Sequence, residues 1–181
     1  MRRTLMTKPE YSLVIIPLVT LVLLTPARVA AQWDVVSVAG QNNEAATVIA
    51  RTVNEGGYML EIYRDAGDAI RARITLPGDL LALAPKSCPT YQIDKGAPRN
   101  RSINDAPCIS RQGWAEFILG YANNGVVESS ALRGMMLGIN ITFRFILANG
   151  DYRETMFSLA GSMRAMQTAF GQNLTVRETS Q

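Results

Sequence analysis

INITFRFILANGDYRETMFSL, residues 139–159, decides the fold. Ile139, Ile141, Phe143, Phe145 and Leu147 alternate with Asn140, Thr142 and Arg144, the two-residue period of a strand with one buried face. Asn149-Gly150 supplies the left-handed backbone positions of a tight hairpin turn. Residues 152–159 (YRETMFSL) then return antiparallel to the first strand.

The same period recurs upstream. In residues 69–76, Ile70, Ala72 and Ile74 face one way and Arg71, Arg73 and Thr75 the other, and Pro77-Gly78 ends the run. Residues 33–39 (WDVVSVA), 46–53 (ATVIARTV) and 58–64 (YMLEIYR) are short and rich in β-branched residues. Asn54-Glu55-Gly56-Gly57 is a hairpin signal between the last two. Two stretches read as helices. Residues 129–137 open on a capping serine and carry Leu132, Met135 and Met136 at helical spacing. Residues 162–170 place Met163, Met166 and Phe170 on one face, with Gly171 set to terminate them. The methionines read as core filling, because thioethers fit irregular gaps. The expected fold is therefore mainly β: an antiparallel, immunoglobulin-like β-sandwich with one or two short helices, one of them C-terminal.

The N-terminal segment gives an address. Arg2, Arg3 and Lys8 precede YSLVIIPLVTLVLL, and Val29-Ala30-Ala31 follows. A basic start, an apolar middle and small residues at the end describe a secretory signal peptide, with cleavage between Ala31 and Gln32. The apolar run is about 14 residues, short of the ~20 a membrane span needs, and it contains Pro17. The expected organisation is a signal at 1–31, one domain at 32–172 and a flexible tail at 173–181, with no stable membrane span after cleavage and a periplasmic or secreted location. About 150 mature residues suit one domain.

The leader also carries the net charge. The chain holds 18 basic and 15 acidic residues, and residues 1–31 contain Arg2, Arg3, Lys8 and Arg28 against Glu10. The remainder is balanced at 14 and 14, which argues against nucleic acid as a partner. Cys88 and Cys108 form an isolated even pair, read as one disulfide in an oxidising compartment. The polar segment between them, with three prolines and one glycine, has few apolar anchors of its own.

Candidate chemistry is sparse. The chain has no histidine, which excludes His-activated nucleophiles and His metal ligation. No catalytic, cofactor-binding or metal residues are assigned. A carboxylate-dependent hydrolase acting on envelope glycan needs only Asp and Glu. Its candidates are Glu61, Asp65, Asp68, Asp94, Asp105, Glu116 and Glu154. Glu61 and Glu116 interrupt apolar runs, which points each to a strand's outer face. The candidate binding loop is the Cys88–Cys108 segment, with Tyr91, Arg99 and Arg101. A small-molecule carrier with a Met- and Phe-lined cavity between the sheets is a further alternative.

Several motifs, in order, resemble the invasion-associated locus B family of exported proteobacterial proteins. They are Leu76-Pro77-Gly78 before an apolar strand, Ser87-Cys88-Pro89, Pro107-Cys108-Ile109-Ser110, the short helix ending at Gly138, the strand INITFRF, and Phe157-Ser158-Leu159-Ala160-Gly161 before a small-residue-rich helix. Trp33-Asp34-Val35 is similar to the family's opening strand. The additional cysteine pair that many members carry in the early strands is absent. The resemblance implies an exported sandwich-like domain, virulence-associated in some relatives, without established catalytic residues. The expected function is a non-enzymatic envelope or secreted module that binds a protein or envelope partner.

Overall fold

The computed structural model describes residues 32–40, 46–78, 82–100 and 108–179. The expected signal with Ala31 lies outside these residues, as do Arg101 and Asp105. The chain is mainly β with two short helices: β1 (Asp34–Val38), β2 (Thr47–Val53), β3 (Met59–Arg64), β4 (Ala69–Thr75), β5 (Thr90–Ile93), β6 (Cys108–Ser110), β7 (Trp114–Asn123), β8 (Val126–Glu128), α1 (Ser130–Leu137), β9 (Asn140–Ile146), β10 (Tyr152–Ser158), α2 (Ser162–Phe170) and β11 (Thr175–Arg177). Among the described residues no helix is long and apolar enough to cross a membrane.

Eight strands form one curled sheet in the order β1-β2-β3-β4-β7-β8-β11, with β6 beside β7. A second sheet holds β10-β9-β5. The stretch 173–181, expected as a flexible tail, contains β11, which pairs parallel with β8. Leu174 and Val176 pack against the core there, and two apolar residues in a polar segment are a weak pattern signal. β7 is the longest strand, yet the sequence marks it only as the apolar run around Glu116.

Alternation places the core. Ile70, Ala72 and Ile74 of β4 are buried, and Arg71, Arg73 and Thr75 lie on the opposite face, as their spacing predicts. Ile141, Phe143 and Phe145 of β9 are likewise buried. Ile139 is not; it is 72% exposed and precedes the strand. Its amide instead donates to the Asp94 carboxylate at 3.0 Å, and the Asn140 amide donates to the same group at 2.8 Å. Gly138 permits this close junction, because a Cβ there would lie 2.7 Å from the Gly134 carbonyl oxygen.

The inner faces of the two sheets share one hydrophobic cluster. Tyr91 of β5 meets Phe117 of β7 at 5.3 Å between ring centres, Phe117 meets Phe143 at 6.1 Å, and Phe143 meets Phe157 of β10 at 6.0 Å. Burying each such ring contributes ~2–3 kcal/mol. Side chains also join the sheets along the β10 edge. Asn54, in the β2–β3 turn, donates to Thr155 Oγ1 at 2.7 Å and to the Met156 carbonyl at 2.9 Å. Trp33 Nε1 donates to the Ser158 carbonyl at 3.0 Å. These bonds occupy edge acceptors that a foreign strand would otherwise use.

The helices close the core. Ser129 caps α1 by accepting from the Leu132 amide at 3.0 Å. α2 buries Ala165 and Met166, while Met163, expected on the same face, is 37% exposed. Small residues take its place because the Ser162 hydroxyl donates to the Met135 carbonyl at 2.8 Å, drawing the two helices together. The β9–β10 turn also differs in detail from its expected form. Gly150 has φ 89° but Asn149 does not enter the left-handed region, and the Leu147 amide bonds the Asp151 carbonyl at 2.8 Å. This is the three-residue loop with a glycine bulge.

Candidate functional site

Two regions gather the chain's chemistry. The first is the solvent-side face of the large sheet. Strand pairing sets Glu61 opposite Arg73, Arg73 opposite Glu116, and Tyr63 opposite Arg71. Because these positions alternate with core residues, all of them point away from the core. Arg73 donates to Glu116 Oε2 from Nε at 2.9 Å and from Nη2 at 2.7 Å. Arg71 Nη1 donates to Glu116 Oε1 at 2.9 Å, and the Tyr63 hydroxyl donates to Oε2. The Arg73 guanidinium also lies over the Trp114 ring at 4.8 Å and the Tyr63 ring at 5.4 Å. Arg71 Nε reaches Asp65, whose other oxygen accepts the Gly67 and Ala69 amides at 2.9 Å each.

This lattice fixes protonation. Burial pushes the Glu116 carboxyl up, but hydrogen bonds from Tyr63 and Arg73 and the guanidinium charges outweigh it, so its pKa lies below the ordinary glutamate value. Asp65 is lowered in the same way: its bonds to Arg71 and to backbone amides overcome desolvation. Burial, followed by the bond to Glu116, raises the Tyr63 hydroxyl. A general acid needs a proton available near neutral pH. Glu116 is instead held ionised with both oxygens occupied. Its place on an outer face agrees with the sequence expectation, and its ionised state does not suit the general-acid role.

The other candidate carboxylates are distributed rather than brought together. Asp68 pairs with Arg64 at 2.7 Å, and Glu154 pairs with Arg144 at 2.7 Å. Asp94 holds the α1–β9 junction described above. Among the described residues no group of three or more His, Cys, Asp or Glu side chains is placed to hold a metal ion.

The second region is a cleft of about 590 Å³ beside the disulfide-bounded segment. Cys88 and Cys108 are bonded, with Cα atoms 6.3 Å apart. Cys108 sits opposite Phe117 in the β6–β7 pairing, so the bridge ties this segment to the large sheet. The chain after β5 turns back on itself. The Tyr91 amide donates to the Arg99 carbonyl at 3.2 Å, and the Arg99 amide to the Tyr91 carbonyl at 2.7 Å. Asn100 Nδ2 holds the Pro89 carbonyl at 2.9 Å.

Phe117 and Leu119 of β7, with Tyr91 and Ile93 of β5, form the cleft's apolar floor. Arg99, Asn100, Ser130 and Thr179 contribute polar groups. Tyr91, expected on a recognition loop, is 4% exposed and belongs to the core. The reason is local: it sits opposite the inward-facing Phe143 in the β5–β9 register. Arg99 is exposed, and its side chain makes no ion pair or hydrogen bond among the described residues.

No family model, curated protein or solved structure matches this chain.

Within the cleft, sequence reasoning found Arg99 and Tyr91 and missed Phe117, Ser130 and Thr179. Thr179 follows β11, and its hydroxyl accepts from the Ser130 amide at 3.4 Å. Only the parallel pairing of β11 brings it there, and a short polar tail carries no periodic signal for that pairing. The expected carrier cavity was to be lined by Met and Phe. Phe117 does line the cleft, but Met135 and Met166 are fully buried in the core instead. The arrangement suits binding: an apolar floor, a neutral polar rim and one cation with spare donors.

Proposed function

We propose that this chain is an exported, non-enzymatic binding protein of the invasion-associated locus B type. In this reading an immunoglobulin-like sandwich presents the Arg99 rim of the cleft to an envelope component. The observation that carries it is the contrast in pairing. The guanidiniums of Arg71 and Arg73 are saturated by carboxylates, whereas that of Arg99, on the disulfide-bounded segment, has no partner among the described residues. A cation kept free beside an apolar depression is a recognition element on a rigid scaffold. The hydrolase reading loses support because Glu116 and Asp65 are committed as ionised acceptors.

The test has two parts. The intact mass of protein from a periplasmic fraction is expected to begin at Gln32 and to be two hydrogens lighter than the reduced chain. A full-length mass with both thiols alkylated under denaturing conditions overturns export. Immobilised protein is then expected to retain an envelope component that Arg99→Glu protein does not. Equal retention by the two sinks the site assignment. Deleting residues 91–105, the obvious loop removal, is unsuitable because it takes the buried Tyr91 out of the core.

A further inference from the structure

We infer that the cleft beside Arg99 holds a monoanionic amphiphile, a carboxylate carrying a short apolar tail. The inference rests on the binding reading above and names the ligand class for that site. A volume of about 590 Å³ falls within the range of small-molecule sites. Its accessible apolar lining is Ile93, Ala97 and Pro98, above the buried Phe117, Leu119 and Tyr91, and it offers aliphatic surface to a tail. The hydroxyls of Ser130 and Thr179 and the amide of Asn100 are neutral. Arg99 is the one charged residue lining the cavity, and no Asp or Glu lines it among the described residues.

That charge pattern selects the head group. A cationic ligand meets like charge with nothing to offset it. A neutral ligand leaves the guanidinium paired only with solvent. A carboxylate matches the planar fork through two parallel hydrogen bonds. One cation balances one negative charge, whereas a doubly charged head group would keep an excess. Elsewhere in this molecule an arginine beside an apolar surface is met by a carboxylate: Arg73, stacked on Trp114, bonds Glu116. At Arg99 the ligand supplies the carboxylate that the chain does not. The apolar tail then lies on the floor, where its burial adds to affinity.

Isothermal titration calorimetry of the oxidised protein with decanoate, decyl phosphate, decanol and decyltrimethylammonium at neutral pH tests this. Decanoate is expected to bind at one site, at least tenfold more tightly than decanol, with no binding of the ammonium. Arg99→Gln is expected to weaken decanoate at least tenfold and leave decanol unchanged. Ala97→Trp, at an exposed rim position, is expected to weaken both, with an unchanged melting curve showing that the fold is retained. Equal affinity for decanoate and decanol, tighter binding of decyl phosphate, or an Arg99→Gln variant that binds like the parent overturns the carboxylate assignment. Retention of an envelope component through Arg99, combined with no decanoate binding, overturns the ligand class alone. Loss of both overturns the binding reading as well.

Discussion

The outer face of the large sheet and the Arg99 cleft use the same side-chain chemistry to opposite ends. On the sheet, Glu116 receives donors from Arg71, Arg73 and Tyr63. Arg71 is engaged a second time by Asp65. In the cleft, a guanidinium of the same kind has apolar neighbours and no carboxylate among the described residues. The difference shows that arginine content does not mark a binding site. A charge whose counter-ion the chain supplies has a structural role; one without a counter-ion is left available to solvent or to a ligand.

The largest expected effect follows from breaking the saturated region. Glu116→Ala leaves two guanidiniums and the Tyr63 hydroxyl without their common acceptor. Solvent reaches the arginines, at 22% and 35% side-chain exposure, so the loss is set near ~2–3 kcal/mol rather than the full penalty of a buried ion. Denaturant unfolding of the variant measures it, and a change under ~0.5 kcal/mol would show that the lattice is ornamental. The same lattice predicts a pH profile. The lowered pKa values of Glu116 and Asp65 mean the unfolded chain takes up protons first as the pH falls. Their stabilisation is full above the ordinary carboxylate range and is lost as the pH drops through the lowered folded values. Tyr63 is shifted the other way, so its contribution holds below pH 10.0 and fades above it. Glu116→Gln protein should show a flatter acid limb; an unchanged limb argues against the assignment.

Comparable in size is the bridge between the two regions. Cys88 and Cys108 close a loop with a sequence separation of 20, for which chain entropy gives ~3 kcal/mol. The double Cys→Ser variant is expected to melt lower by that amount. Its cleft is also expected to bind more weakly, because the segment carrying Arg99 loses its tie to β6. Weakened stability with undiminished binding would show that the backbone bonds between Tyr91 and Arg99 suffice to hold the rim.

What could be read in advance follows the same division. Strands with one wet face announce themselves, so β4 and β9 follow their alternation almost residue by residue. β7 carries Trp114 and Ile118 on its outer face opposite the buried Ala115, Phe117 and Leu119, and apolar residues on both faces blur its period. A register shift also falls between Ile70 and Arg71 in its pairing with β4. Met163 and Ile139 match their patterns yet point to solvent, because local hydrogen bonds at Ser162 and Asp94 set where those elements begin. The cleft is legible in the sequence at Arg99 and at Tyr91, although Tyr91 enters it as a buried residue. Its other walls come from β7, α1 and the stretch after β11, which meet through pairings that no local spacing encodes.

A smaller effect sharpens the comparison from inside the core. Thr52 is 1% exposed, and its hydroxyl is without a hydrogen-bond partner among the described residues. Unlike Arg99, it has no solvent to satisfy it, so the unmet group costs stability rather than offering recognition. Thr52→Val is expected to stabilise by ~1 kcal/mol, read as a rise of a few degrees in Tm. A lower Tm would mean that the hydroxyl has a partner, such as ordered water, in solution.

The smallest expected effect is the most discriminating. Arg99→Gln should change unfolding free energy by less than ~0.5 kcal/mol, because the side chain gives up no partner among the described residues. Arg71→Gln, the same chemical change on the saturated face, should cost ~1–2 kcal/mol by stripping charge-assisted bonds from Asp65 and Glu116. The pair measured side by side isolates pairing from composition, since both variants lose one positive charge. Equal costs would mean that Arg99 has a structural partner and would remove the reason to read it as a recognition group. A cost confined to Arg71 leaves Arg99 without a structural role among the described residues, as the proposed recognition role requires.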